Sequence, residues 1–179
     1  MAQIIALSRE SSNRVDEPDR RVGFEATFLP HLPAAYNLAR WLTRDGHDAE
    51  DVVQEATLRA FRSFGGFRGG DGRAWFLAIV RNTCLTWLQR NRPATLTVPF
   101  DEVRHGSSGL PQPASPMDGD ALKRALADLP PEFREAVVLR ELEGLSYKQI
   151  AGVAGVPIGT VMSRLARGRD LLRQKLAKM

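Results

Sequence analysis

Cysteine and histidine are scarce in this chain of 179 residues, which has one cysteine, Cys84, and three histidines, His31, His47 and His105. Because these residues are far apart in the sequence, they fit neither a disulfide framework nor a four-ligand zinc site. Long apolar runs are also missing: no segment reaches the roughly 18 apolar residues of a membrane span, and the start of the chain lacks the pattern of a secretion signal. We therefore expect no metal, no cofactor and a cytoplasmic location.

The composition is that of a globular chain, with 43% apolar and 26% charged residues. The net charge is only +4, but the last 23 residues, from Pro157 onwards, carry six basic side chains and one acidic side chain. A basic segment on a nearly neutral chain is typical either of nucleic-acid binding or of a solvated amphipathic tail. Charge alone does not decide between these two interpretations.

Residues 93–119 separate two segments with helical periodicity. They contain five prolines together with glycine and serine and have no sustained period, which predicts an extended linker. We therefore expect an all-α fold of two small helical domains, residues 23–92 and 120–179, joined by this flexible linker. Residues 1–22 are polar and without period, and they predict a disordered N-terminal arm.

In the first domain a helix is predicted from Asp48, which has the position of an N-cap, to about residue 64. Asp48, Asp51 and Glu55 gather on one side of this helix, where Leu58 is an exception. The opposite, apolar side is formed by Val52, Val53, Ala56, Ala60, Phe61 and Phe64. An apolar residue within an acidic stripe indicates either an interface or a single exposed leucine.

A glycine-rich turn follows, with five glycines in residues 63–72, and the chain contains no Gly-Lys pair. The turn is therefore a connection between helices rather than a phosphate-binding loop. Residues 73–92 are strongly apolar and predict the central helix of the domain. Their arginines, together with Trp75 and Trp87, also fit a surface that grips unstacked single-stranded bases. Composition favours the core for both tryptophans and for Cys84.

The second domain has the spacing of a helix-turn-helix. Phe133, Val137 and Leu142 keep helical spacing up to Gly144, which has the place of a C-cap, and Ser146 and Gln149 form an S-x-x-Q capping box. The short helix that they open closes at Gly155, and a tight turn leads to a second helix over about residues 158–177. In a helix-turn-helix this second helix enters the major groove of DNA, although a plain helical hairpin has the same spacing.

The predicted second helix has one apolar and one polar face. The apolar stripe is formed by Ile158, Val161, Leu165, Gly168, Leu172 and Leu176. The opposite face and its flanks present Thr160, Met162, Ser163, Arg164, Ala166, Arg167 and Arg169. Arginine can bind a guanine edge through two hydrogen bonds, and small residues allow close approach to the groove, so this face is suited to reading DNA.

Three segments, in this order, resemble the extracytoplasmic-function group of bacterial sigma factors. HDAEDVVQEATLRAFRSF at residues 47–64 is similar to the helix of that family that binds core polymerase. FRGGDGRAWFLAIVRNTCLTWLQR at residues 67–90 is similar to its promoter-melting segment, which reads the minus-10 element. Residues 129–176 are similar to its domain that reads the minus-35 element.

The resemblance implies a promoter-specificity subunit without enzymatic activity, and it implies a role for named residues. For binding the beta-prime clamp helices of core RNA polymerase it implies Asp48, Asp51, Gln54, Glu55 and Leu58. For the flipped base of the minus-10 element it implies Phe67, Arg68, Trp75, Arg81 and Asn82. For the minus-35 element it implies Thr160, Met162, Ser163, Arg164, Ala166, Arg167 and Arg169. Further implied partners are promoter DNA, the beta flap of the polymerase and an anti-sigma factor.

The sequence departs from the pattern of this family at Met162, and two other functions are alternatives to the one that the resemblance implies. Met162 stands where the family often has lysine or arginine, which removes a possible polar base contact. The first alternative is a stand-alone helix-turn-helix regulator, which would bind DNA without polymerase, usually as a dimer on a palindrome. The second is a nucleic-acid enzyme such as a recombinase, but the sequence offers neither an activated nucleophile nor clustered metal carboxylates.

Overall fold

The computed structural model of the protein describes residues 19–91 and 119–178, and within them all regular structure is helical. The all-α prediction is therefore confirmed for this part of the chain. Residues 92–118, which hold nearly all of the predicted linker, lie outside the described residues, as do residues 1–18 of the predicted arm.

The N-terminal half is built on a central helix. Its helices are α1 (residues 19–28), α2 (Leu32–Thr43), α3 (Gly46–Ser63) and α4 (Gly72–Asn91), with short 3-10 turns at Leu29–His31 and Phe64–Gly66. Helix α4 packs against both α2 and α3. It buries Phe76, Leu77, Val80 and Cys84 completely, as predicted for the central helix of its domain.

The prediction of a disordered arm is wrong for residues 19–22, which belong to α1. Arg20 shows why the helix begins early. Its guanidinium donates hydrogen bonds to the carbonyl oxygens of Phe61 (2.8 Å) and Arg62 (3.1 Å), in the last turn of α3, and lies 5.2 Å from the centre of the Phe61 ring. A cation is favourable at this end of a helix, so α1 has an anchor that a search for apolar periodicity does not detect.

The N-cap of α3 is Asp45 rather than the predicted Asp48. Asp45 has extended backbone angles, and its Oδ1 accepts from the N–H groups of His47 (2.9 Å) and Asp48 (3.0 Å). Asp48 is already helical and lies in the first turn, where its charge favours the helix. The predicted apolar side is confirmed, since Val52 and Ala56 are buried.

The C-terminal half contains the predicted helix-turn-helix. Its helices are α5 (Gly119–Ala127), α6 (Pro131–Val137, continued by a π-helical turn at Val138–Leu142), α7 (Tyr147–Ala154) and α8 (Ile158–Leu176). The capping box is confirmed: Ser146 Oγ accepts from the Gln149 N–H (3.3 Å), and Gln149 Oε1 accepts from the Ser146 N–H (2.7 Å). Gly155 closes α7 in the left-handed conformation, with φ of 67°.

Two apolar residues of the C-terminal half do not lie where the helical spacing predicts. Leu142 is 49% exposed, because the π-helical turn widens the helix and rotates the residues at its end away from the core. Ile158 is also exposed, at the first position of α8, whereas Val161 and Leu165 of the predicted stripe are buried. The predicted C-cap, Gly144, lies one residue beyond the observed C-cap, Glu143, in the left-handed conformation.

The two halves pack against each other, which their separation by a proline-rich segment did not predict. Helix α4 of the first half contacts α7 of the second, and α2 contacts α6. Buried apolar side chains from both halves form one continuous core. Within the described residues the fold is thus a closed arrangement of two helical units, and we use "closed arrangement" for it below.

Arg134 of α6 lies at the centre of this closed arrangement. Its guanidinium is buried and donates to the carbonyl oxygens of Leu126 (3.1 Å), Ala127 (2.8 Å) and Leu129 (2.6 Å), and across the halves to that of Trp41 (3.1 Å). Burial lowers the pKa of Arg134 to about 10, so the group stays charged at neutral pH. The carbonyl groups at the ends of α2 and α5 supply the compensating negative dipoles.

Candidate nucleic-acid interface

The outward face of α8 is open to solvent. Met162 is 54% exposed and Ala166 is exposed, whereas Thr160, Ser163 and Arg167 are half-buried. The Ser163 hydroxyl donates to the carbonyl oxygen of Thr160 at 3.0 Å, a local bond that leaves the oxygen of the hydroxyl able to accept. The helix is held in place from behind by its packing on α5, α6 and α7. The predicted reading residues therefore share one accessible surface on a supported helix.

Arg164 and Arg169 flank this face and are engaged differently. Arg169 donates to Glu141 Oε1 from Nη2 (2.6 Å) and Nε (3.0 Å), and this hydrogen bond is the main reason why the pKa of Arg169 is raised. Arg164 is half-buried, and its buried Nε has no hydrogen-bond partner in the part of the chain that the structure describes. A phosphate contact by Arg169 therefore competes with Glu141.

An aromatic cluster supports the glycine-rich turn before α4. The rings of Phe67 and Trp75 lie 5.2 Å apart, and Phe28 of α1 contacts both, at 5.5 and 5.1 Å between ring centres. Phe67 and Trp75 are half-buried, so each combines packing with an accessible surface. Arg68 and Asn82, predicted to act with them, are exposed.

The remaining predicted minus-10 residue, Arg81, is bound to the other half of the chain. Its Nε and Nη2 face the two carboxylate oxygens of Glu135, with Nη2 to Oε2 at 3.5 Å, and the two side chains are 16% and 6% exposed. Arg73, two turns earlier on α4, donates to Glu143 Oε2 at 2.8 Å. Arg73 was noted in the sequence only among the arginines of residues 73–92, and neither glutamate was predicted, because partners 54 and 70 residues apart leave no local signal.

The acidic face of α3 is accessible, as predicted. Asp51 and Gln54 are exposed, and Leu58, the apolar exception, is 53% exposed. Glu55 pairs with Arg59 at 2.7 Å, and this hydrogen bond is the main cause of its lowered pKa. Asp48, in the first turn, is half-buried. An exposed leucine within a group of carboxylates is suited to binding a basic partner with an apolar patch.

Residues 19–91 and 119–178 contain neither a cluster of metal ligands nor a helix of the membrane-spanning type. His, Cys, Asp and Glu side chains form no group there that could hold a metal ion. Among the helices of the same residues, none is both long and apolar enough to cross a membrane.

Two family models match this chain, in the order in which its two halves occur. The model of sigma-70 region 2 matches residues 27–93, and that of sigma-70 region 4 matches residues 119–172. Among curated proteins, the ECF RNA polymerase sigma factor SigE of Mycolicibacterium smegmatis is 38% identical over 182 aligned positions, covering 91% of this chain and 70% of that protein. The RNA polymerase sigma-H factor of Pseudomonas aeruginosa is 33% identical, covering 91% of this chain and 90% of that protein.

A solved structure shares the arrangement of helices. The sigma factor RpoE of Bartonella quintana, crystallised in complex with the anti-sigma factor NepR, aligns with a TM-score of 0.69 and 30% sequence identity. The alignment covers 87% of this chain and 97% of that one, so it includes both halves rather than a single helix-turn-helix.

Proposed function

Since the chain belongs to the extracytoplasmic-function group of RNA polymerase sigma factors, which direct promoter-specific transcription, we propose that three of its surfaces divide this task among themselves. The acidic face of α3 binds core polymerase, the turn and N-terminal part of α4 bind the opened minus-10 element, and α8 reads the minus-35 duplex. The main support for the proposal is the accessibility of these surfaces. The residues assigned to each surface from the sequence are accessible together, and Arg81 is the exception.

At the minus-35 element, α8 enters the major groove with Thr160, Ser163, Ala166 and Arg167 towards the base edges. Arg167 is the side chain of this set that can bind a guanine through two hydrogen bonds. Met162, exposed and apolar, makes only apolar base contacts. Arg164 and Arg169 bind the phosphate backbone and so fix the position of the helix, while adding salt-dependent affinity.

At the minus-10 element, the chain holds a base that has left the duplex stack. The aromatic pair Phe67 and Trp75 offers a stacking surface, and Arg68 and Asn82 offer polar contacts to the extruded nucleotide. Stacking on aromatic side chains offsets part of the cost of unpairing the base. In this way the protein assists strand opening and makes or breaks no covalent bond of its own.

The acidic face of α3 binds the clamp helices of the polymerase beta-prime subunit, with Asp51, Gln54 and Leu58 as exposed contacts and Glu55 and Asp48 beside them. Binding of the beta flap by the C-terminal half completes the contact with the enzyme. This work takes place in the cytoplasm, where polymerase and chromosome are. An anti-sigma factor is a further proposed partner, since the similar sigma factor of Bartonella quintana was crystallised with one.

The experiment that tests the polymerase assignment compares Asp51→Lys with Glu25→Lys. Both variants change the net charge by the same amount, at side chains that are 59% exposed for Asp51 and 43% exposed for Glu25, but Glu25 lies on α1 and pairs with Arg21 (2.8 Å). We expect Asp51→Lys to lose binding to purified core polymerase while keeping its helical circular dichroism, and Glu25→Lys to bind as the unmodified chain does. Equal binding by both variants contradicts the assignment of α3.

Run-off transcription from genomic fragments tests the function as a whole. Core polymerase with the chain is expected to produce transcripts that core alone does not produce, and these transcripts identify its promoters. Specific duplex binding by the chain alone, without binding to core, would instead support a stand-alone regulator.

A further inference from the structure

We propose that Glu135 and Glu143 take the place of DNA phosphates within the protein itself: in the closed arrangement their carboxylates occupy the guanidinium groups of Arg81 and Arg73, which are released to bind single-stranded DNA when the two halves separate. The inference rests on the proposed function, because it describes how access to the minus-10 surface of α4 is controlled. It also adds Arg73 to that surface as a second phosphate-binding side chain.

The two arginines form a pair of anion sites on α4. They are eight residues apart, which places them about 12 Å apart along the helix axis and on the same side of it. Arg73 Nη2 lies 2.8 Å from Glu143 Oε2, and Arg81 faces both oxygens of Glu135 with two of its nitrogens. The planar fork of a guanidinium binds a carboxylate and a phosphate in the same way. Each glutamate therefore stands where a phosphate of a bound strand would stand.

Arg73 and Arg81 cannot bind the two glutamates and DNA phosphates at the same time. The side chains of Glu135 and Glu143 are each only 6% exposed, and Glu143 also accepts from Asn37 Nδ2 at 3.3 Å. Helix α7 packs on α4 at this place, and Gln149 Nε2 donates to Asp71 Oδ2, at the start of α4, at 2.6 Å. A nucleic-acid strand cannot reach Arg81 without displacing these elements.

Both ion pairs are suited to a contact that must open: the Arg81–Glu135 pair is shielded from water, and in the Arg73–Glu143 pair the arginine is 34% exposed. When the halves are closed, the Coulomb attraction within each pair is favourable and the loss of hydration is unfavourable. These two free energies are similar in size. When the halves separate, all four charged groups regain water, so opening leaves no unpaired buried charge. A polyanion that releases counterions on binding can therefore compete with the glutamates for the arginines.

The control is selective for one of the two DNA-binding surfaces. Helix α8 packs on α5, α6 and α7, all from its own half, and its outward face with Met162 and Ala166 is exposed in the closed arrangement. The closed chain is thus hindered in binding single-stranded DNA but not in binding a duplex through α8. This difference separates the proposal from a general effect of removing negative charge.

The test uses the full chain with the double substitution Glu135→Gln and Glu143→Gln. Its probe is fluorescein-labelled single-stranded DNA of mixed sequence, and the readout is fluorescence anisotropy at constant salt. We expect the double variant to bind this probe about tenfold more tightly than the unmodified chain, because the arginines lose their charged partners. Affinity for a mixed-sequence duplex is expected to change by less than about twofold.

The matched control is the double substitution Glu25→Gln on α1 and Glu50→Gln at an exposed position of α3. It changes the net charge equally, at two carboxylates outside the contacts with Arg73 and Arg81. We expect it to leave both affinities nearly unchanged. If the control binds the single strand as tightly as the Glu135 and Glu143 variant, the gain reflects net charge and the proposal is wrong.

Small-angle X-ray scattering measures the closed arrangement directly. We expect a larger radius of gyration for the Glu135 and Glu143 double variant than for the unmodified chain. In a second variant, Arg81→Glu combined with Glu135→Arg, the pair is restored with reversed signs, so the chain should be compact again yet bind single-stranded DNA weakly. Unchanged radius and unchanged single-strand affinity in the Gln variant overturn the proposal.

Failure of this inference and failure of the proposed function give different results. If the Gln variant and the unmodified chain bind single-stranded DNA equally well while both support run-off transcription with core polymerase, only the inference is wrong. If neither protein binds core polymerase, the proposed function itself is wrong.

Discussion

Arg81 of α4 and Glu135 of α6 form an ion pair that joins the two halves of the chain, although 54 residues separate them in the sequence. Both side chains are largely withdrawn from water. Arg81 was assigned from the sequence to the binding of DNA, and the structure places it in an interface between the halves. The same guanidinium therefore contributes to the stability of the closed arrangement.

The first prediction concerns the stability of that arrangement. Arg81→Ala leaves the Glu135 carboxylate in a shielded position without its partner. Removing one member of a buried pair costs about 3–5 kcal/mol when the other stays buried, but here Glu135 can regain water if the halves separate. We therefore expect the free energy of unfolding, measured by urea denaturation, to fall by about 1–3 kcal/mol.

Asn82→Ala is the matched control for Arg81→Ala. Asn82 is the next residue on α4, but its side chain is exposed and makes only a 3.4 Å contact with Arg81 Nη1. Its replacement is expected to change the unfolding free energy by less than about 0.5 kcal/mol. Equal losses in both variants would show that the loss does not come from the pair of Arg81 with Glu135.

What could be predicted from the sequence is mostly local. The capping box of Ser146 and Gln149 and the left-handed Gly155 depend on residues a few positions apart, and the sequence identified each of them. For α3, the predicted N-cap, Asp48, is three residues too late, and the extended backbone angles and side-chain hydrogen bonds of Asp45 show that this residue caps the helix. The contact of Arg20 with the end of α3 bridges 41 residues, so the start of α1 was missed.

The contacts between the halves could not be predicted for the same reason. A proline-rich segment indicates where regular structure is interrupted, but it carries no information on whether the flanking units pack together. Arg73, Glu135 and Glu143 are ordinary charged residues in the sequence, and their roles depend on which helices meet. Leu142 was misplaced because a π-helical turn has no reliable sequence signature.

The second prediction concerns the close contact of α6 and α8. A Cβ atom at Gly168 would lie 2.8 Å from Val137 Cγ2 and 3.2 Å from the carbonyl oxygen of Phe133. Gly168→Ala must therefore push the helices apart, and we expect thermal or urea denaturation to show a loss of about 1–3 kcal/mol. Gly159→Ala, on the same helix, has nothing within 4 Å of the added methyl group. It should leave stability unchanged or raise it by up to about 1 kcal/mol, and a reversed order would contradict the packing.

The third prediction uses Cys84, the single cysteine of the chain. It is buried in α4, and burial raises the pKa of its thiol to about 12. Since the thiolate is the reactive form, the folded protein should react with a thiol reagent at pH 8 only as fast as it unfolds. In denaturant the pKa returns to the ordinary range near 8.5, and reaction should be complete within the mixing time. Rapid labelling of the folded chain would show that α4 is not held in the core.

The fourth prediction concerns base reading by Arg167 in the holoenzyme, on a promoter identified by run-off transcription. If Arg167 binds a guanine of the minus-35 element through two hydrogen bonds, Arg167→Ala should cost about 1–3 kcal/mol of binding free energy on that promoter and nothing on one with the guanine replaced. Arg173→Ala, in the last turn of α8 and paired with Asp170, removes the same charge away from the reading face. It should weaken both promoters equally. A uniform loss with Arg167→Ala as well would assign Arg167 to the phosphate backbone.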